Sequence, residues 1–307
     1  MEDYNKIIES LGVRYIKSRN MKVVKPVTID NFYDVENTII VVNNGDVYFG
    51  DDQEKVSEGD MLFIPGGKPV QITFGSLTAH KINNEDFISN KKKYLQNASD
   101  TEVNDFDING FSQVMFEAKV FDSVNFFSSL NITPFAIRSS SHIADLIRLI
   151  IEEDGSTKAG KGRVIKNNTD YLVVEIIRYI LDNRLFVEQL VTNSTYFKDP
   201  RLIDIFNYIK ENLGGDLSNK VLAKVANVSE DYVGQYFKML TGINPQDYIE
   251  YQRMEAAVDL LRTTKKSIRD IGHEVGYKDT AYFCRRFKMM FGIPAGKMRR
   301  RESLINV

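Results

Sequence analysis

Two stretches near the C-terminal end of the chain repeat each other, and this repeat constrains the fold more than any other feature. Residues 232–243 and 282–293 align at an offset of 50 and share the pattern Tyr-x-x-x-x-Phe-Lys-Met-x-x-Gly-Ile. Upstream, Leu222-Ala223 aligns with Ile271-Gly272 at an offset of 49. The duplication predicts two copies of one small structural unit.

Each copy carries the capping and turn residues of two short helices. Capping residues are expected before each helix and a residue tolerant of left-handed backbone between them. In the first copy these are Ser218, Asn227 and Ser229, and in the second they are Ser267, Gly276 and Asp279. The pattern predicts two helix-turn-helix units, at about residues 218–240 and 267–291. A generic helical hairpin is the alternative.

The second helix of each copy has an apolar side and an opposite side of small, polar or basic residues. Helical spacing places the inward stripe at Val233, Tyr236, Phe237 and Leu240 in one copy and at Phe283, Arg286, Phe287 and Met290 in the other, with the aliphatic stem of Arg286 along the stripe. The opposite side carries Asp231, Gly234, Gln235 and Lys238, and then Ala281, Cys284, Arg285 and Lys288. Such a side can approach base edges in a DNA major groove.

A single helix is expected between the two copies. Asn244 can cap it, Pro245 suits its first turn, and no glycine or further proline follows up to about Thr264. Twenty residues at 1.5 Å each span roughly 30 Å. That length is close to the ~34 Å between successive major-groove faces on one side of B-DNA.

The charge of the chain is divided unevenly. The formal net charge is −2, but residues 1–198 carry −6 and residues 199–307 carry +4. The segment 261–307 alone holds 12 basic and 4 acidic residues, a charge of +8. Basic charge beside a duplicated helix-turn-helix favours double-stranded DNA as a partner.

Residues 199–302 resemble the DNA-binding domain of the AraC/XylS family of bacterial transcription regulators. The matching positions include Phe237-Lys238, Gly242, Pro245, Arg253-Met254, Ala257, Leu260-Leu261, Val275-Gly276-Tyr277 and Arg285-Arg286-Phe287-Lys288. The resemblance implies DNA contacts from Asp231, Tyr232, Gly234, Gln235 and Lys238 and from Thr280, Ala281, Cys284, Arg285 and Lys288, with RNA polymerase as a further partner. Two departures are Glu230-Asp231, whose charge repels phosphate, and the missing aromatic residue after Pro294.

The first part of the chain predicts a sheet-rich domain. From Lys22 to Leu77, short apolar runs alternate with turn residues, as in an all-β meander. The segment 59–67 resembles a motif of cupin barrels, but Val70 stands where that motif has a metal-binding histidine. We therefore expect a metal-free β-barrel that binds a small-molecule effector, and a purely structural barrel is the alternative.

Helices are expected after the barrel, at residues 142–153, 164–184 and 185–191. In the second, Val173, Ile176 and Ile180 form one apolar stripe, and Val174, Ile177 and Leu181 form another beside it. Either both stripes are buried within one chain, or one of them joins a second copy in a homodimer.

These expectations combine into one α+β organisation. Residues 1–198 form a cupin-like ligand-sensing and dimerisation region, with a metal-free β-barrel plus helices. Residues 199–307 form an all-α DNA-binding domain with two helix-turn-helix units joined by a long helix. We expect a cytoplasmic protein because no export signal or membrane span is apparent, and the single cysteine fits a reducing compartment.

No enzymatic activity or cofactor is expected. The three histidines are scattered, which argues against a cupin catalyst, and Cys284 lacks the further cysteines of zinc-bearing alkyl-transfer proteins. Residues 155–162 match a phosphate-binding loop except at the last position, where Gly162 lacks the hydroxyl that holds magnesium. The stretch follows a predicted helix instead of a strand, so it is expected to be a loop between helices.

Overall fold

The computed structural model describes residues 5, 8, 9, 11–98, 109–120, 124–187, 199–241 and 244–299. The described residues fall into two compact units, one within Ile8–Val187 and the other within Met1–Ile7 and Glu188–Val307. Residues 188–198, next to the expected boundary at 198, lie outside the described part, so that boundary stays a prediction. No helix in the described ranges is long and apolar enough to cross a membrane.

Two sheets make up most of the first unit. The first sheet contains, in spatial order, β12 (Phe135–Ile137), β6 (Met61–Ile64), β3 (Asn37–Asn44), β10 (Gly110–Val120), β1 (Leu11–Val23) and β9 (Leu95–Asn97), with β11 (Val124–Asn125) beside β10. The second contains β5 (Glu54–Val56), β4 (Val47–Phe49), β7 (Val70–Phe74), β2 (Val27–Phe32) and β8 (His80–Asn83). All the pairs are antiparallel except β2 with β8.

Strands β3, β4, β6 and β7 lie within the predicted range from Lys22 to Leu77 and coincide with its apolar runs. The expected α+β class is confirmed. The sequential meander is wrong, because β3 and β4 belong to different sheets. The turn between them contains Gly45, whose φ of +84° is costly for any residue with a side chain. The chain therefore leaves the first sheet at this turn and enters the second.

Both sheets contribute to one apolar core. Met21, Ile40, Leu62 and Phe111 from the first sheet meet Ile29, Val47, Ile72 and Phe74 from the second. Val70, at the position where the cupin motif has its histidine, is 7% exposed and belongs to this core. Each fully buried side chain of this size contributes about 1.5–3 kcal/mol, so the core is the main stabilising element of the unit.

Helices complete this unit. They are α1 (Asn84–Asn90), which a 3₁₀ turn at Lys91–Lys93 follows, α2 (Phe126–Ser129), α3 (Ser141–Gly155) and α4 (Lys161–Asp182). The helices expected at 142–153 and 164–184 are confirmed as α3 and α4, which pack on each other and on β1. The segment 155–162 contains the connection between them, residues 156–160, together with the last residue of α3 and the first two of α4. Lys161 pairs with Asp154 across this connection, Nζ to Oδ1 at 3.3 Å. The helix expected at 185–191 lies largely outside the described residues.

The two apolar stripes of α4 are mostly core. Val173, Ile176 and Ile180 are buried, but Ile177 from the second stripe is also only 2% exposed. Val174 and Leu181 are half-buried. The reading in which the second stripe faces another subunit is therefore wrong for Ile177, which packs inside its own chain.

Helices are the regular secondary structure in the described residues of the second unit. Its helices are α5 (Pro200–Glu211), α6 (Asn219–Val225), α7 (Glu230–Thr241), α8 (Pro245–Thr263), α9 (Ile268–Glu274) and α10 (Thr280–Phe291). The expected helix between the two copies is α8, and it ends one residue before the predicted Thr264.

A substitution at Gly66 tests the corner between β6 and β7. A Cβ at this position would lie 2.1 Å from the backbone oxygen of Val35, so Gly66→Ala should lower the free energy of unfolding of the first unit by about 1–3 kcal/mol or more. The control is Gly162→Ala, in the first turn of α4, where nothing lies within 4 Å of the new Cβ. Chemical denaturation should show the control equal to the parent or up to about 1 kcal/mol more stable. Equal stability of the Gly66 and Gly162 variants would contradict this packing.

Candidate nucleic-acid interface

The first helix-turn-helix has its two helices and its turn where the sequence predicts them. Ser218 directly precedes α6, Ser229 directly precedes α7, and Asn227 in the turn has a φ of +53°. Asparagine tolerates this left-handed backbone better than most residues with a side chain. The turn thereby directs α7 away from α6.

The inward side of α7 packs on a cluster of rings. Val233, Tyr236 and Phe237 are at most 2% exposed. The centroid of Phe237 lies 5.6 Å from that of Phe206 in α5 and 5.6 Å from that of Tyr248 in α8. These contacts hold α7 against both neighbouring helices, so only its opposite side faces outward.

An ion pair at the start of α5 also contacts α7. Asp199 caps α5 and binds Arg201, whose guanidinium lies 4.9 Å from the ring centroid of Tyr236. The hydrogen bond from Arg201 lowers the pKa of Asp199 to about 2. Because the pKa is depressed in the folded state, this pair stabilises the fold at neutral pH and loses that effect as the pH falls from about 4 toward 2.

The second helix-turn-helix has stronger caps. Ser267 and Asp270 form a capping box, in which each side chain accepts a hydrogen bond from the other residue's backbone N–H. Gly276 in the turn has a φ of +96°, and the Asp279 carboxylate accepts from the backbone N–H of Tyr282. Phe283, Phe287 and Phe291 are buried along the inward side of α10.

The outward sides of α7 and α10 carry the residues expected to contact DNA. Asp231, Tyr232, Gln235 and Lys238 are exposed on α7, and Ala281, Arg285 and Lys288 are exposed on α10. Gly234, Thr280 and Cys284 are half-buried on the same sides. The buried stripes agree with the predicted ones, except that the side chain of Leu240 lies outside the described residues and Arg286 and Met290 are half-buried.

The two outward sides differ in charge. Glu230 and Asp231 occupy the first turn of α7, where carboxylates stabilise a helix but repel phosphate. The first turn of α10 has no acid and starts with Thr280 and Ala281. The guanidinium of Arg285 lies 6.0 Å from the ring centroid of Tyr282, a contact that limits the conformations of a long basic side chain.

Three further residues lie on these outward sides, although they are not among those expected there from the sequence. Tyr282 is 48% exposed, Met239 is 59% exposed and Met289 is 73% exposed. The repeat itself was the available signal, because Tyr232 and Tyr282, and likewise Met239 and Met289, occupy equivalent positions. Apolar groups at such places are able to contact thymine methyl groups.

Arg286 does more than cover the apolar stripe with its stem. Its Nε and Nη2 both donate to the Glu250 carboxylate in α8. These hydrogen bonds raise the pKa of Arg286 above its already high value. Helical spacing alone placed Arg286 only along the apolar stripe, whereas its guanidinium also joins α10 to α8.

An arginine of α8 contacts both copies. Arg253 donates from Nε to the Leu213 oxygen at 2.9 Å and from Nη2 to the Gly215 oxygen at 3.0 Å, in the loop before the first helix-turn-helix. Its guanidinium also lies 5.9 Å from the ring centroid of Tyr277, in the turn of the second. Glycine is required at position 276, because its φ is +96° and a Cβ there would lie 2.7 Å from the backbone oxygen of Leu213.

Comparison with known proteins assigns this domain to a family. A model of the helix-turn-helix domain matches residues 222–301. The TetD protein of transposon Tn10 from Escherichia coli is 30% identical over 114 residues, which are 37% of this chain and 83% of TetD. The chain belongs to the AraC/XylS family.

Other relatives add to this assignment. The lactose operon transcription activator of Staphylococcus xylosus is 33% identical over 100 residues, 33% of this chain and 36% of the activator. The curated relatives other than TetD are matched over about half of their own length or less. The structure of an apo ToxT variant from Vibrio cholerae covers 95% of this AraC/XylS chain and 97% of its own, at 10% identity and a TM-score of 0.53, which shows similarity of fold alone.

The first helices of the two copies differ in their N-terminal caps, and this difference can be tested by substitution. The Ser267 side chain accepts from the Asp270 backbone N–H at 3.1 Å, whereas the Ser218 side chain makes no capping hydrogen bond to its helix. Ser267→Ala should therefore lower the free energy of unfolding of the second unit by about 1 kcal/mol. Ser218→Ala is the matched control and should cost less. Chemical denaturation of both variants in the full chain compares them, and a larger loss for Ser218→Ala would contradict the assigned caps.

Proposed function

We propose that this chain is a sequence-specific DNA-binding transcription regulator that inserts two recognition helices into adjacent major grooves. The supporting observation is the pair of outward sides on α7 and α10, each opposite a buried stripe and both fastened to α8. The 19 residues of α8 span about 28 Å, close to one turn of B-DNA. Such a regulator works beside the bacterial chromosome, in the cytoplasm, and has no catalytic role.

The second recognition helix supplies most of the affinity in this proposal. It lies in the segment with a charge of +8, and the acids that open α7 have no counterpart at the start of α10. Arg285 reads a base, since arginine can donate two hydrogen bonds to guanine O6 and N7. Lys288 contacts phosphate and is indifferent to sequence.

Two substitutions in α10 separate these roles. Target DNA is first selected by sequencing fragments that the purified full chain captures. Arg285→Ala should weaken binding to that target by about 1–3 kcal/mol and relax the preference at one base position. Lys288→Ala should weaken target and random DNA alike and reduce the slope of log K against log salt by about 1.

Matched substitutions in α7 are the controls. Gln235→Ala and Lys238→Ala occupy the equivalent positions and should have smaller effects, because α7 opens with two acids. Equal losses on target and random DNA for Arg285→Ala would refute its base-reading role. Failure of the parent chain to select any sequence would refute the proposed function.

We also propose that the first unit binds a small-molecule effector and changes DNA binding in response. An open cavity of about 460 Å³ at one end of strands β2, β4 and β7 supports this proposal. Its lining combines polar residues, among them Asp30, Asp51 and Gln71, with the apolar Phe49 and Val70. The competing proposal is a constitutive regulator with a structural first unit. The two differ in whether any metabolite changes DNA affinity.

A homodimer and a contact with RNA polymerase complete the proposed set of partners. The outward side of α4 supports the homodimer, because Val164 and Tyr171 there are 42% and 41% exposed. Ile177, by contrast, is buried in the chain's own core. An interface on α4 would therefore use the first two side chains.

Substitutions on the two sides of α4 test whether its outward side forms the homodimer interface. Tyr171→Asp should leave the thermal unfolding of the first unit close to that of the parent and should give a monomer in sedimentation equilibrium. Ile177→Asp places an unpaired charge in the core and should unfold the first unit. A folded Tyr171→Asp variant with the parent's molecular mass would exclude this surface as the interface.

A further inference from the structure

Glu250 and Arg253 lie three residues apart on α8, which places them on one side of that helix. Between them they contact the loop before the first helix-turn-helix, the turn of the second, and the second recognition helix. Neither side chain faces outward with the residues expected to contact DNA. Their contacts instead decide how the two copies are held on α8.

Glu250 controls the direction of α10. Its carboxylate accepts two hydrogen bonds from Arg286, and a guanidinium held this way by a carboxylate has a fixed plane. The pair is partly shielded, since the side chains of Arg286 and Glu250 are 33% and 19% exposed. Arg286 directly follows Arg285, so loss of this pair would let the second helix-turn-helix, with Arg285 in place on α10, move as one piece relative to α8.

Arg253 controls the position of the second turn relative to the first copy. It binds the oxygens of Leu213 and Gly215 on one side and packs against Gly276 and Tyr277 on the other. The backbones themselves are close here, because a Cβ on Gly214 would lie 2.6 Å from the Glu274 oxygen. Small residues and one guanidinium thus fill the junction between the two copies.

We propose that Glu250 and Arg253 are positioning residues that set the number of base pairs the chain accepts between its two DNA elements. The inference rests on the proposed function. One additional base pair rotates the second element by about 34° and moves it by about 3.4 Å, because B-DNA has 10–10.5 base pairs per turn. A protein whose recognition helices are fixed relative to each other cannot follow this change without losing contacts. A protein with a loosened junction can follow it.

The experiment measures the spacing preference of the full chain. Duplexes carry the captured target with its natural spacing, with one or two base pairs added or removed between the two elements, or with the second element alone. The parent should bind the natural spacing about tenfold more tightly than a spacing changed by one base pair, equivalent to about 1.4 kcal/mol. Glu250→Gln and Arg253→Lys should reduce this preference to about threefold or less while binding the second element alone as the parent does.

Two further variants isolate the role of the charge pair. Asp247→Asn removes an exposed carboxylate from the same helix and should keep the parent's spacing preference. The reversed pair, Glu250→Arg combined with Arg286→Glu, should recover part of the preference that either change alone abolishes. That recovery distinguishes a positioning role from a general loss of stability.

The outcomes separate this inference from the proposed function. A parent chain that selects no DNA refutes the proposed function. A parent that selects DNA but tolerates every spacing overturns the inference alone. The inference is also overturned if Glu250→Gln keeps the parent's preference, or if it weakens all duplexes equally, including the single element.

Discussion

The arrangement of the two helix-turn-helix copies depends on the pairing of Glu250 with Arg286, together with the contacts of Arg253. Each helix-turn-helix is too small to bury a sufficient core by itself. The first copy packs its rings on Phe206 and Tyr248, and the second packs Phe283, Phe287 and Phe291 together. The helix α8 connects these separate clusters, and its half-buried charged side chains hold the copies in one arrangement.

Half-buried pairs of this kind provide geometry more than stability. The desolvation of two charges offsets much of their attraction, so the net gain is modest, but removal of one partner leaves the other charge uncompensated. Glu250 and Arg253 therefore restrict the second recognition helix to one orientation at little net gain in stability. This restriction is what simultaneous contact with two grooves requires of one chain.

The second unit is predictable from sequence because interactions between residues close in the chain specify its helices and turns. Serine and aspartate caps, the left-handed turns at Asn227 and Gly276, and proline at the first position of α8 act within a few residues of chain. The link from Arg286 to Glu250 spans 36 residues and has no periodic signature, so helical spacing assigned Arg286 only to the apolar stripe. The exposed Met239 and Met289 were missed for another reason, since apolar character alone does not reveal which side of a helix is covered.

The contrast between local signals and long-range contacts also explains which strands of the first unit are predictable from sequence. Short strands bounded by turn residues were found, whereas the two longest, β1 and β10, were not located as strands. Their pairing joins residues that are 88 to 109 positions apart, and β1 mixes charged and apolar residues along its length. In α4, periodicity identified Ile177 as apolar but could not decide between its own core and a second chain. Burial decides that it belongs to the core.

The proposed function requires two recognition helices of one chain to contact one DNA duplex. Methylation interference with the full chain on captured target DNA measures these contacts, because methylation of guanine N7 blocks contacts in the major groove. We expect two groups of interfering guanines on one face of the duplex, with centres about 10–10.5 base pairs apart for each bound chain. A single group for each bound chain, or two groups on opposite faces, would contradict it.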